Sequence, residues 1–273
     1  MTSGYDNLYQ LKDVSQSGAG SGQPTAFNYT YDTAGSRKVR KKTVNGVQTT
    51  YTHGANSRNQ LTGYDMTYDA NGNLLTQTDP TNGRRYTYEW DSINRLKAIM
   101  VDNDGNGSFA TGDTRTEFSY NGFSQRNFVS ERGWSGGGWA TLISGSYFIW
   151  CDGEIAQKRV NTSSYTGVKC NYYDGGETRH TSVSNKTSYY YTRDHLGSVR
   201  EVTNSSKTVV AAYDYTPYGE RTRALTGSGT FNCEMAYTGH FYHPQSGTHL
   251  AWFRGHDPRL GRWLNADPIG EDT

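Results

Sequence analysis

The chain has 273 residues, a formal net charge of +1 and a mean hydropathy of −0.85, with only 33% hydrophobic residues. So polar a composition could belong to a disordered chain, but 22 Tyr, 9 Phe and 6 Trp exclude that, because aromatic side chains supply the burial that offsets chain entropy. Mixed charges leave no basic footprint, so nucleic acid is not an expected partner.

The polar start MTSGYDNLYQ reads as neither a signal peptide nor a membrane span, which leaves export open. A Tyr-Asp step then recurs, as FNYTYDTAGS (27–36), YDMTYDANGNLL (64–75) and YTYEWDSINRL (86–96). GYDNLYQL near the start and FSYNGFSQRN (118–127) are degenerate copies. In each clear copy alternating aromatics lead into a turn carrying Gly or Asn, and a second strand follows. Alternation means a strand with one buried face. Asp with Gly or Asn supplies the turn. A hairpin of roughly 20 residues cannot bury its face alone, so neighbouring units must stack. The predicted fold is all-β: stacked hairpins forming one continuous, twisted, spiralling sheet, as a partial shell or open trough.

Residues 102–113, DNDGNGSFATGD, carry the spacing of a calcium loop. Asp102, Asp104 and Asn106 stand at positions one, three and five, Gly107 at six, the Ser108 carbonyl at seven, and Asp113 at the end. Asp in place of Glu at the last position shortens the arm and weakens ligation. Calcium is the cofactor this pattern implies, with a plain hairpin tip as the alternative. The flanks RLKAIMV and TRTEFSY read as strands, which excludes a helix pair.

ERGWSGGGWATL (131–142) reads as an aromatic-tipped loop whose Trp134 and Trp139 could stack on sugar rings or cover a core edge. YFIWCDGEIAQKRV and YYYTRDHLGSVREVTNSSKTVVAAYDY follow the hairpin grammar. Cys151, Cys170 and Cys233 are odd in number and form no CxxC pair, so no disulfide framework follows. His240, His243, His249 and His256 match no zinc spacing and are expected on different faces of a hairpin, as packing or surface residues.

The chain closes with WFRGHDPRLGRWLNADPIG (252–270), holding Asp-Pro steps at Asp257 and Asp267 with Arg254 and Arg262 near. Asp-Pro opens turns, and arginines can simply pair with such carboxylates. A carboxylate held by a guanidinium can equally act as a general acid or base on a peptide bond.

These stretches carry a resemblance. The xYxYDxxGxL pattern is similar to the repeat of the RHS/YD-repeat proteins. YYYTRDHLGSVREV, YDYTPYGE, YTGHFYHPQSG and RGHDPRLGRWLNADPIG, in that order, resemble the RHS repeat-associated core domain. The expected division is 1–185 as the hairpin array and 186–273 as the core-like segment. The resemblance implies a spiralling sheet that closes into a shell around a cargo polypeptide, often a toxic C-terminal domain. Its core domain plugs the shell and acts as an autoprotease that frees the cargo.

Carried over by motif, the arginine and second aspartate tied to self-cleavage are Arg254 and Asp267, while Asp257 and Arg262 read as turn residues. Cleavage in the family occurs after a further DPxGL-type segment, absent from these 273 residues. The chain is therefore expected to be a structural shell segment with a truncated autoprotease motif, not an enzyme by itself. Its expected partners are a cargo polypeptide or the rest of a parent shell, with self-association open and no membrane span. Secretion or cell-surface display within a larger protein is implied. The alternatives are an adhesive or glycan-binding surface protein, and an active aspartyl autoprotease in the longer parent.

Overall fold

The computed structural model describes residues 2–16, 23–161, 166–226 and 231–268. Among the described residues the architecture is β, relieved by one short 3-10 turn at Tyr237–Gly239. A 5-stranded sheet runs from Thr2–Tyr5 to Val47–Thr52, and a 2-stranded ribbon joins Gly54–Ala55 to Leu61–Thr62. A 14-stranded sheet then follows chain order from Thr67–Tyr68 to Arg221–Thr226, and a 4-stranded sheet spans Phe241–His243 to Arg262–Trp263. Every pairing between these strands is antiparallel. The expected single sheet is thus interrupted. At the break, Gly63, Tyr64 and Asp65 all take left-handed backbone, which no strand continues through. The sheet is unbroken around residue 185, where Gly176–His180 pairs with Lys186–Arg193.

The Tyr-Asp step has a physical cause. In each repeat the Asp or Asn carboxylate or amide oxygen accepts the backbone N–H groups two and four residues on. Asp69 takes those of Asn71 and Asn73, Asp91 those of Ile93 and Arg95, and Asn121 those of Phe123 and Gln125. The residue three places on is left-handed: Gly72 at φ 88°, Asn94 at 62° and Ser124 at 58°. Glycine is favoured there because a Cβ is penalised in that region, and Asn is the usual second choice. Asp194, in DHLGSVR, makes the same turn onto Leu196 and Ser198, with Gly197 at φ 84°.

The aromatic before the Asp completes the unit. A register shift precedes it, as between Glu89 and Trp90 and between Ser119 and Tyr120. Its ring then reaches back to the carbonyl five residues after the previous turn's Asp or Asn. Tyr68 donates to Leu61, Trp90 Nε1 to Leu74 and Tyr120 to Leu96, at 2.8–2.9 Å; Trp150, two places before Asp152, likewise donates Nε1 to Arg126 at 2.8 Å. Neighbouring turns also bond to one another. Asn71 and Asn73 both donate to Asn94 Oδ1 at 2.9 and 2.8 Å, and Arg95 donates to Ser124 Oγ at 3.3 Å. The repeats stack through backbone satisfaction as well as apolar contact.

The inner face of the long sheet buries Tyr86, Tyr88, Ile99, Phe118, Phe148, Val202 and Tyr213. Packed in the same cluster are Phe231, Cys233, Met235, Phe241, Leu250, Leu260 and Leu264. The expected trough is therefore filled by the chain's own residues 231–264. The far end of the long sheet also meets the first sheet. The Tyr31 and Tyr218 hydroxyls bond, Arg40 pairs with Glu220 at 3.3 Å, and Arg37 lies 4.4 Å over the Tyr218 ring. Arg37 Nη2 continues inward to the Arg259 carbonyl at 2.5 Å. Gly261 lets it through: a Cβ there would stand 2.8 Å from Arg37 Nη1.

Candidate functional site

The two Asp-Pro aspartates have opposite surroundings. Asp257 is wholly buried at the end of strand Gly255–Asp257. Its Oδ1 accepts the Arg259 backbone N–H and Nε, both at 2.9 Å; its Oδ2 accepts Arg259 Nη2 and Gln77 Nε2, both at 2.6 Å. Arg259 also faces Asp79 at 3.5 Å and lies 4.2 Å over the Tyr86 ring. Burial alone would raise the Asp257 carboxyl, but the Arg259 charge and these bonds outweigh it and hold it down at about 2. A carboxylate with both oxygens so engaged is an anchor for the segment, not a proton carrier.

Asp267 is different. Its Oδ2 pairs with Arg254 Nη1 at 2.9 Å, and the two side chains are 38% and 25% exposed. Both line a cleft of about 630 Å³. Its walls come from the turn segments 58–61 and 70–74 and from residues 260–267. The last wall is fixed from both sides: Leu74 N–H donates to the Leu264 carbonyl at 2.9 Å, and Asn265 Nδ2 to the Asn94 carbonyl at 3.2 Å. Arg254 follows strand Thr248–Leu250 in a turn closed by Ala251 N–H on its own carbonyl at 2.9 Å. The structure thus brings the predicted Arg254 and Asp267 together at an accessible cleft. Arg262 pairs with neither aspartate, donating instead to the Asn59 carbonyl at 2.8 Å. Ile269 and Gly270 of the motif lie outside the described residues. Sequence reasoning missed Arg259, although its place two residues after Asp257 is the spacing of a self-contained turn pair.

The histidines correct an expectation. His249 and His256 are direct cross-strand partners on one face, with rings 6.3 Å apart. They share it because they occupy matching positions on successive hairpin strands. His243 lies elsewhere, fully buried between Thr116 Oγ1 at 3.0 Å and Ser246 Oγ at 2.7 Å. Burial pushes His243 and His249 down to about 3 and His256 to about 4, so at neutral pH they are uncharged packing groups.

At the hairpin tip 102–113 the oxygens serve the loop's own backbone. Asp102 accepts Gly105 and Gly107 N–H at 2.8 Å, and Asp113 accepts those of Asn103 and Ala110 at 2.8 Å. Asp104 takes the Asn106 N–H at 3.1 Å, and Asn106 Oδ1 takes that of Ser108 at 2.7 Å. Among the described residues no three His, Cys, Asp or Glu side chains converge to hold a metal. The donor set as arranged caps the loop's own turns. Trp134 and Trp139 meet edge to face at 5.0 Å and pack on Phe109 of this tip at 5.7 and 4.7 Å, so they cover the loop end.

Residues 68–106 match the RHS repeat model, and residues 167–272 match the Teneurin YD-shell model. The chain belongs to the RHS/YD-repeat proteins. It is 27% identical over 270 residues to tRNA nuclease WapA of Bacillus subtilis (strain 168), covering 97% of this chain and 10% of that protein. Salivary gland surface protein 1 of Aedes aegypti is 36% identical over 85 residues, or 31% of this chain and 2% of that one. The crystal structure of TcdB2-TccC3 without its hypervariable C-terminal region superposes with a TM-score of 0.71 at 17% identity, covering 99% of this chain and 14% of that chain. That likeness is one of fold, which is all-β. The 273 residues span about a tenth of the WapA relative and about a seventh of the solved chain. Among the described residues no helix is long and apolar enough to cross a membrane.

Proposed function

We propose that this chain is a wall-and-plug segment of a polypeptide shell of the toxin-associated, secreted kind, and that Arg254 and Asp267 perform self-cleavage when a downstream segment is present. The observation that carries the reading is the packing of residues 231–264 on the buried face of the long sheet, with the Arg254–Asp267 pair left at the cleft. A plug built into the wall and ending in an accessible acid–base group is what release of an enclosed polypeptide requires.

In the proposed step, ionised Asp267 takes a proton from a water molecule whose oxygen adds to the scissile carbonyl carbon. The same carboxyl returns that proton to the leaving nitrogen as the C–N bond breaks. Arg254 holds the carboxylate in place. Asp257 takes no part, since its oxygens are committed to Arg259 and Gln77.

The partner is then a cargo polypeptide following the plug, enclosed with the rest of a parent shell. For residues 102–113 the backbone bonding supports a self-capped tip, and calcium is the alternative that titration decides. The test of the shell reading appends the family's DPxGL-type segment and a marker domain after the plug within a full-length parent. Protease resistance of the marker, lost when the Tyr31–Tyr218 seam is broken by Tyr218→Ala, is the expected result. A marker digested equally in both proteins would sink the enclosure reading.

A further inference from the structure

A ladder of rings crosses the small sheet and ends on Arg254. Tyr242 pairs with His249, His249 with His256 and His256 with Trp263 in strict cross-strand register. The successive ring centroids lie 5.4, 6.3 and 5.4 Å apart. The ladder is anchored at its inner end. His249 Nε2 lies 2.7 Å from the Gly219 carbonyl, which can only accept, so the proton sits on Nε2. At its outer end the Arg254 guanidinium carbon stands 4.3 Å from the Trp263 ring centroid, while Arg254 Nη1 holds Asp267 Oδ2 at 2.9 Å. Trp263 is itself 39% exposed and lines the cleft.

An exposed arginine–carboxylate pair is weak by itself, because two mobile side chains must be ordered to form it. Stacking removes that weakness for the arginine. An indole covers one guanidinium face and leaves every N–H in the plane free to bond. We propose that Trp263 is a positioning residue of this site: its indole face holds the Arg254 guanidinium edge-on to Asp267, and the His249–His256 ladder holds Trp263. The inference rests on reading Arg254–Asp267 as the self-cleavage pair. It adds a residue that acts through Arg254 without touching the reacting atoms.

Two substitutions separate ring chemistry from packing: Trp263→Phe keeps an aromatic face, and Trp263→Leu keeps only apolar bulk. The first readout is the Arg254 Nε–H signal of the 273-residue chain by NMR, with its heteronuclear NOE as a measure of order. Wild type and Trp263→Phe are expected to show an ordered Arg254, and Trp263→Leu a mobile one, at similar melting temperatures. In the chain extended by the DPxGL-type segment, self-cleavage should fall about tenfold in Trp263→Leu and recover in Trp263→Phe. Equal Arg254 order in Phe and Leu variants, or equal cleavage rates, would overturn the proposal. If even the wild-type extended chain fails to cleave, the self-cleavage reading falls, and the NMR comparison alone decides whether Trp263 positions Arg254.

Discussion

The hydroxyl of Tyr120 donates to the carbonyl of Leu96 at 2.8 Å, across two strands whose backbone pairing has already ended at Ala98 and Glu117. The repeat therefore uses an aromatic ring to satisfy a carbonyl that the ladder leaves over. Tyr120→Phe removes that donor while keeping the ring. An unsatisfied carbonyl here is expected to cost about 1–2 kcal/mol, read as a lower urea midpoint. Tyr147→Phe, at an exposed ring on the outer face, is the control and should be neutral within roughly 0.5 kcal/mol. Equal effects at both positions would remove the carbonyl from the explanation.

Acid should loosen the fold well above the carboxylate range. Burial lowers His53 and His256 to about 4 and His243 and His249 to about 3. The unfolded chain takes up protons below about pH 6.5 that these folded rings refuse. Their contribution is therefore complete above that pH and is lost as pH falls from 6.5 toward 3–4. For the fully buried His243 and His249 the loss is about 1.4 kcal/mol per pH unit each. Melting temperature measured from pH 7 to pH 5 should drop steeply, and His243→Gln should make the slope shallower. A flat profile over that range would show that the rings are hydrated.

Asp257 acts in a lower window. Its folded value of about 2 lies below the ordinary carboxyl value of 3.8, so it stabilises the chain above pH 4 and ceases to do so as pH falls through 2. The difference corresponds to about 2 kcal/mol at neutral pH. Asp257→Asn leaves the buried Arg259 charge with only Asp79, at 3.5 Å, to balance it and is expected to cost about 3 kcal/mol. Calorimetry at pH 7 measures this directly.

Calcium at millimolar concentration should leave the melting temperature within about 1 °C, since an ion that does not bind the folded state cannot stabilise it. Asp102→Ala, which strips the caps of Gly105 and Gly107, should cost about 1 kcal/mol with or without calcium. A calcium-dependent rise abolished by Asp104→Ala would instead make the tip a cation site.

Much of this was legible in the sequence because the repeat is local. Asp69, Asp91 and Asn121 set their own turns, and alternation around Tyr86 and Tyr88 marks the buried face. That Arg254 and Asp267 lie together was legible through their motif. What was not legible depends on register between distant segments. Nothing local announces that Arg37 reaches the Arg259 carbonyl, or that Gln77 completes the cage of Asp257. The ring ladder from Tyr242 to Trp263 needs the hairpin lengths between its rungs to be known. A one-residue error in any of them would move a ring off the face.

The most direct measurement is the intact mass of the chain extended by the DPxGL-type segment, taken beside its melting temperature, for wild type, Asp267→Asn and Asp257→Asn. The expected result is cleavage at one defined site in wild type and none in Asp267→Asn, whose melting temperature stays near wild type because its ion pair is exposed. Asp257→Asn should instead melt far lower and still cleave at temperatures where it remains folded. Undiminished cleavage in a folded Asp267→Asn chain would contradict the assignment of chemistry to Asp267 and architecture to Asp257.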